Sequence, residues 1–416
     1  MPFTRRFLVK SGAVALAGYG LTRLPSFLVR AAELARPARK TLVVLFQRGA
    51  ADGLNVVVPH GERAYYKLRP GIAIPPPRRN DDGGALDLDG RFGLHPALAP
   101  FKELWDRELL AVIHAAGSPD ATRSHFDAQD FMESGTPGVK STRDGWLNRY
   151  LQGHPHPEPA AFRAVASTTR LPRILEGRAP ALAIPELSKF GIEGRYGTLV
   201  QRGLETLYAT SQDPLLAPTA RETFEAVEML QRLDPSRHAP AHGAVYPRGG
   251  FGRALLQTAQ LIKSDVGLEV AFAELGGWDH HVNEGGTRGQ LANLLRQFSS
   301  GIAAFVRDLG DRMEDVTLVT LSEFGRTAAE NGSGGTDHGH AGTMFVIGGG
   351  VRGGKLYGEW PGLEPEQLHE GRDLALTTDF REVMAAVLRG RLGAERLDGV
   401  FPGFRPGGAE LDGLLR

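Results

Sequence analysis

Five short apolar runs, rich in β-branched residues, punctuate the chain: Thr41 to Phe46, Leu109 to His114, Leu268 to Ala273, Val316 to Leu321 and Thr343 to Ile347. They are continuous rather than alternating, as expected of strands buried on both faces. Between them lie longer stretches whose apolar positions have helical spacing, near 96–106, 250–264, 289–312 and 377–389. Strands that alternate with helices predict an α/β fold, a mostly parallel central sheet with helices on both faces. From about 150 to 250 the pattern loosens into Pro/His-rich turns, short apolar pieces and one amphipathic segment near 218–233. That stretch reads as an inserted cap region on a single domain running from about 41 to 416. There is no internal repeat.

The ends of these runs collect the unusual polar residues. Asp52 trails the first run, Ser124 and His125 the second, Asp279 and His281 the third, and Glu323 the fourth; Asp337, His338 and His340 precede the fifth. Open α/β sheets bind ligands at the carboxyl ends of their strands. Asp52, Asp279, His281, Glu323, His338 and His340 are therefore expected to converge on one pocket, with Ser124 facing it. Carboxylates and imidazoles gathered in this way repel or desolvate one another unless a cation offsets the cost. Imidazole and carboxylate donors suit a divalent metal, zinc first, with manganese, iron or calcium as alternatives.

Composition narrows the classes. The 48 basic and 48 acidic side chains cancel, which argues against a general nucleic-acid binder. The cancellation is uneven, because residues 1–40 carry eight Lys or Arg and one acid, leaving the remainder with 40 basic and 47 acidic groups. Thr4-Arg5-Arg6-Phe7-Leu8-Val9-Lys10, followed by a short weakly apolar stretch, has the layout of a secretory signal and resembles the twin-arginine export signal. The implied partner is the twin-arginine export machinery, which carries folded proteins, and the implied destination is the periplasm or cell surface. No transmembrane span is expected in the mature chain. The chain has no cysteine, which fits an oxidising destination and excludes thiolate metal sites and cysteine nucleophiles. With 54 Gly and 27 Pro, long surface loops are expected.

The segments Phe46 to Asn55, Arg123 to Gln129, Gly276 to His281, Ser322 to Thr327 and Thr336 to His340 together resemble an exported family known as domain of unknown function 1501. More remotely, that family is similar to the alkaline phosphatase and sulfatase superfamily. The resemblance implies an alkaline-phosphatase-like fold and a metal-dependent hydrolase of phosphate or sulfate esters. It implies Asp52 as the first metal-binding acid, Ser124 as nucleophile (Thr122 being the next hydroxyl), Asp279 with His281 as ligands, and His340 or His338 as the late ligand. Where the superfamily has an adjacent Asp-His pair, this chain has Glu323-Phe324. Phe324 cannot ligate a metal, so His338 or His125 is left to supply the missing donor. Arg326 or Arg123 would neutralise the oxyanion, since a guanidinium matches it with two donors.

Two other classes compete. A binding or assembly protein that keeps the fold without turnover is consistent with Phe324. A metal-free serine esterase lacks its Gly-x-Ser-x-Gly elbow, and no Gly-x-Gly-x-x-Gly follows the first run to hold a dinucleotide.

Overall fold

The computed structural model describes residues 40–78, 83–155, 161–189, 237–407 and 411–416. The leader and the amphipathic segment expected near 218–233 lie outside the described residues. Twelve strands are described: β1 (Thr41–Arg48), β2 (Val57–Val58), β3 (Leu86–Asp87), β4 (Gly93–Leu94), β5 (Leu110–Gly117), β6 (Ala164–Ala166), β7 (Leu182–Ala183), β8 (Val270–Gly276), β9 (Val316–Ser322), β10 (Gly342–Gly348), β11 (Lys355–Tyr357) and β12 (Thr378–Asp379). The helices are α1 (Gly53–Val56), α2 (Arg63–Leu68), α3 (Ala99–Asp106), α4 (His125–Ser134), α5 (Trp146–Gly153), α6 (Gly250–Lys263), α7 (Gln290–Leu309) and α8 (Phe380–Leu392).

The main sheet has the order β11-β5-β10-β9-β1-β8-β6-β7, with β12 also paired to β5. β1 lies at its heart, parallel to both β8 and β9, with Val43 opposite Ala271 on one side and Leu318 on the other. Successive residues of a strand face opposite sides of a sheet. Val43 and Leu45 accordingly join a core with Phe101 of α3, Leu255 of α6 and Phe298 and Phe305 of α7. Leu42, Val44 and Phe46 join another with Trp146 of α5 and Phe380, Val383 and Leu388 of α8. Both faces are covered, which is why the run from Thr41 to Phe46 has no polar alternation. Helix α7 buries Leu291, Leu295, Phe298, Ile302, Phe305 and Leu309, the three- and four-residue spacing of one helical face.

Two features depart from the sequence reading. β10 is antiparallel to both β5 and β9, between which it sits. Its amino end therefore lies at the same edge as the carboxyl ends of β1, β8 and β9, and the residues before β10 reach the site for that reason. Part of the expected cap also belongs to the sheet, because β6 pairs parallel with β8 and β7 with β6. Strands as short as Ala164–Ala166 are too brief to show a period. A separate antiparallel sheet, β2-β4-β3, flanks the main one. No helix among the described residues is long and apolar enough to cross a membrane.

Candidate metal centre

The loops at this edge are tied together by backbone and buried polar groups. Arg326 and His338 pair as an antiparallel bridge, so the exit of β9 and the entry to β10 run side by side. Gly49, at φ +117°, lies so close to the loop after β8 that a Cβ there would sit 2.8 Å from the Asp279 amide nitrogen. Only glycine fits that approach. Trp278 is fully buried, packs edge-on against Phe298 and donates its indole N–H to the Leu275 carbonyl (2.8 Å), which fixes the turn presenting Asp279 and His281.

Four side chains meet in front of these loops. His338 Nε2 lies 3.0 Å from His125 Nε2, 2.9 Å from His281 Nε2 and 3.2 Å from Asp279 Oδ1. His281 Nε2 is 3.0 Å from Asp279 Oδ1, and His125 Nε2 is 3.5 Å from Asp279 Oδ2. Among the described residues, His125, Asp279 and His338 form a compact group whose ligand atoms all lie within 4.8 Å of one another, and His281 contacts two of its members.

The proton inventory of the three rings is decisive. His125 Nδ1 faces Glu323 Oε1 at 2.9 Å, His281 Nδ1 faces Asp337 Oδ1 at 3.0 Å, and His338 Nδ1 faces the Arg123 carbonyl at 2.8 Å. Carboxylates and carbonyls only accept, so each Nδ1 carries the proton and donates it. In the neutral rings every Nε2 is then a bare lone pair; that of His338 faces those of His125 and His281, and each of the three faces an Asp279 oxygen. A shared cation relieves that repulsion. Metal-bound histidines characteristically donate their second N–H to a carboxylate or carbonyl, which fixes tautomer and orientation. Zn–N bonds of about 2.0–2.1 Å in a tetrahedral site place ligand atoms roughly 3.3 Å apart, close to the separations of His338 from its three neighbours. The donor set fits a divalent metal.

The electrostatics follow from the neighbours. Burial pushes the Asp279 carboxyl up, but the hydrogen bond and charge of Arg326, with the nearby imidazoles, hold it below its ordinary value. Glu323 is buried too, yet hydrogen bonds from His125, Gln129 and the Gly49 amide keep it low. The Glu323 hydrogen bond in turn raises His125, whereas burial lowers His338.

Several expected members stand elsewhere. Asp52 does not join the centre, since both its oxygens are taken by Arg69 of the loop after α2, at 2.5 and 2.9 Å, in a pair almost wholly buried. Glu323 stands behind His125 and orients it; its Oε1 already accepts three hydrogen bonds. His340 turns away, its Nε2 meeting the Ser118 carbonyl at 3.1 Å and its ring 4.4 Å from that of His369. The Arg326 guanidinium is buried and spent on the carbonyls of Gly49, Ala50, Trp278 and Thr336 and on Asp279, so it holds the loops and is not free for substrate. Arg123 is likewise engaged by Glu370 and Asp373. Ser124 is exposed at the amino cap of α4, where its Oγ accepts from the Asp127 amide at 3.5 Å. Phe324 packs its ring against His125 and His338, with centroids 4.9 and 5.0 Å away.

Sequence reasoning missed Arg69 and Gln129. Gln129 follows His125 by four residues on α4, a spacing that puts both on one helical face and was available as a signal. Nothing local marks Arg69. Asp337 accepts from His281 and Asn331, and it lines a cleft of about 270 Å³ with Thr327, Leu368 and Arg372.

Similar solved structures include the lipoteichoic acid synthase LtaP from Listeria monocytogenes, 9% identical over 78% of this chain and 68% of that one, with a TM-score of 0.34. A protein in the alkaline phosphatase superfamily from Vibrio parahaemolyticus is 10% identical over 75% of this chain and 60% of that one, with a TM-score of 0.31. The alkaline phosphatase from the Antarctic bacterium TAB5 is 9% identical, covering 77% and 95%, with a TM-score of 0.31. No curated protein matches the chain. The family model of DUF1501, a protein of unknown function, matches residues 112–398 and so takes in α4, β8 to β10 and all four residues of the centre: the chain belongs to the DUF1501 family.

Proposed function

We propose that the chain is a metal-dependent hydrolase of phosphate or sulfate esters, with its ion held by His125, Asp279, His281 and His338. The observation that carries this reading is the convergence of three imidazole Nε2 atoms, each left bare by an Nδ1–H donated outward. Once bound, a divalent ion supplies Lewis-acid polarisation of an ester oxygen and of a nearby nucleophile. The chain's own groups do the rest. Asp337, Glu323 and the Arg123 carbonyl keep the ligand rings in one tautomer. Arg326 fixes Asp279. A divalent ion, with Arg326, offsets the charges of Asp279, Glu323 and Asp337, and the ion itself favours an anionic substrate.

Ser124 immediately precedes His125 and presents an exposed hydroxyl at the start of a ten-residue helix. In this reading Ser124 Oγ bonds to phosphorus or sulfur as the ester bond to the alcohol breaks, and its proton ends on the departing alcohol. Water then cleaves the seryl ester, restoring Ser124 and releasing phosphate or sulfate. The test compares wild type, Asp279→Ala and Ser124→Ala by elemental analysis and by release of phosphate or sulfate. Asp279→Ala is expected to lose metal and activity together, and Ser124→Ala to lose activity while keeping metal. A metal-loaded wild type that cleaves neither ester class would favour the binding role instead.

We also propose that the protein acts outside the cytoplasm, supported by the twin-arginine leader and the absence of cysteine. Replacing Arg5 and Arg6 by Lys is expected to retain it inside; undiminished export would count against that route.

A further inference from the structure

Among the described residues, large apolar side chains are exposed at Phe126 (89%), Val245 (80%), Val282 (52%) and Val139 (45%). Two of these four directly follow residues of the centre: Phe126 follows His125, and Val282 follows His281. Adjacent Cα atoms are about 3.8 Å apart, and both imidazoles place Nε2 within 3.0 Å of His338 Nε2. The backbone of both residues therefore lies one step from a ligand-bearing position of the centre. Packing does not explain them. Phe126 lies in the first turn of α4, and the aromatic contacts with His125 and His338 are made by Phe324, which is buried. A solvent-facing helical position is ordinarily polar, and here a bare phenyl ring stands one residue from His125.

We infer that Phe126 and Val282 form an apolar rim to the substrate site, and that the ester cleaved carries an alkyl or aryl group next to its phosphate or sulfate. This rests on the hydrolytic reading above and narrows it to amphiphilic esters. The anionic head meets the bound ion, and the apolar group lies on the ring of Phe126 and the methyls of Val282. A fully hydrophilic ester would leave that rim in water and gain nothing from it.

The test uses methyl and octyl phosphate, with the matching sulfates, below the concentration at which the octyl esters form micelles. For metal-loaded wild type, kcat/KM for the octyl ester is expected to exceed that for the methyl ester by about tenfold, the worth of covering a few methylenes. Phe126→Ala and Val282→Ser are expected to bring that ratio towards one while their bound metal stays at the wild-type level. A wild-type ratio near one, or variants that keep the wild-type ratio, overturns the inference. If wild type cleaves none of the four esters, the hydrolytic reading fails on its own, and calorimetric binding of octyl against methyl phosphate decides the rim. Tighter octyl binding that weakens about tenfold in Phe126→Ala supports it, and equal binding overturns it. Flotation of wild type with anionic vesicles, lost in Phe126→Ala, together with an unchanged ester ratio, would assign the rim to a membrane surface and also overturn the substrate reading.

Discussion

Two carboxylates at the same sheet edge, Asp52 and Asp279, have opposite fates. Asp52 is 2% exposed and gives both oxygens to Arg69, whose side chain is fully buried. Asp279 is 44% exposed and shares one oxygen with Arg326, while both face imidazole nitrogens. The first is a finished ion pair. The second is one of several donors that face each other. The difference is made by where a guanidinium arrives: bidentate on Asp52, it closes the site; bound to one oxygen of Asp279, it leaves room for an ion.

The comparison can be broken from either side. The largest effect is expected for Arg69→Met, which leaves Asp52 buried and unpaired and should cost about 3–5 kcal/mol of folding stability in denaturant titrations. A loss under about 1 kcal/mol would show the pair to be loosely held. His338→Ala should do the reverse, since His338 touches the other three members of the centre. Metal affinity measured against a competing chelator is expected to fall by more than about a hundredfold, with the metal-free protein unfolding near the wild-type midpoint. Wild-type affinity in that variant would remove His338 from the ligand set. Asp337→Ala, at an exposed position behind His281, should weaken metal by about 10- to 100-fold; no change would mean that His281 is oriented by something else.

The smallest effect concerns Glu284, which burial and the neighbouring Asp52 push well above the usual carboxyl range. Between its ordinary value and its raised one, the folded state holds a proton that the unfolded state has released. Stability from this group is thus full at acid pH and is lost as pH rises, by at most about 1.4 kcal/mol per pH unit. Glu284→Gln should flatten that slope from about pH 4.5 upward. An unaltered slope would place its origin in another group.

How far the sequence carries depends on the range of each interaction. The five apolar runs appear as β1, β5, β8, β9 and β10 because burial on both faces demands a continuous run of apolar residues. Asp279, His281 and His338 were legible because they sit in loops next to those runs. The separation of ligands from their supports was not. Glu323 and His338 are both polar residues beside a strand, and only the three hydrogen bonds on Glu323 Oε1 show that it points at a ring rather than at an ion. Asp52 read as a ligand because the competing Arg69 arrives from 17 residues away through α2 and its following loop. The direction of β10 escaped as well, since an apolar run has the same appearance in either orientation.

That orientation has a consequence for how the protein comes into being. β10 separates β5 from β9, and contact between His125 and His338 spans 213 residues. Chains are made from the amino end, so β1, β5, β8 and β9 all leave the ribosome before the strand that joins β5 to the rest of the sheet. Contacts of such long range form late, because the loop they close must first be paid for in entropy. His338 lies just before β10, so it leaves the ribosome after β1, β5, β8 and β9. A nascent chain halted before residue 338 would carry His125, Asp279 and His281 without the ring that links them. In the proposed metal-binding reading, ion capture then comes last, and a chain that holds its ion has already completed its central sheet.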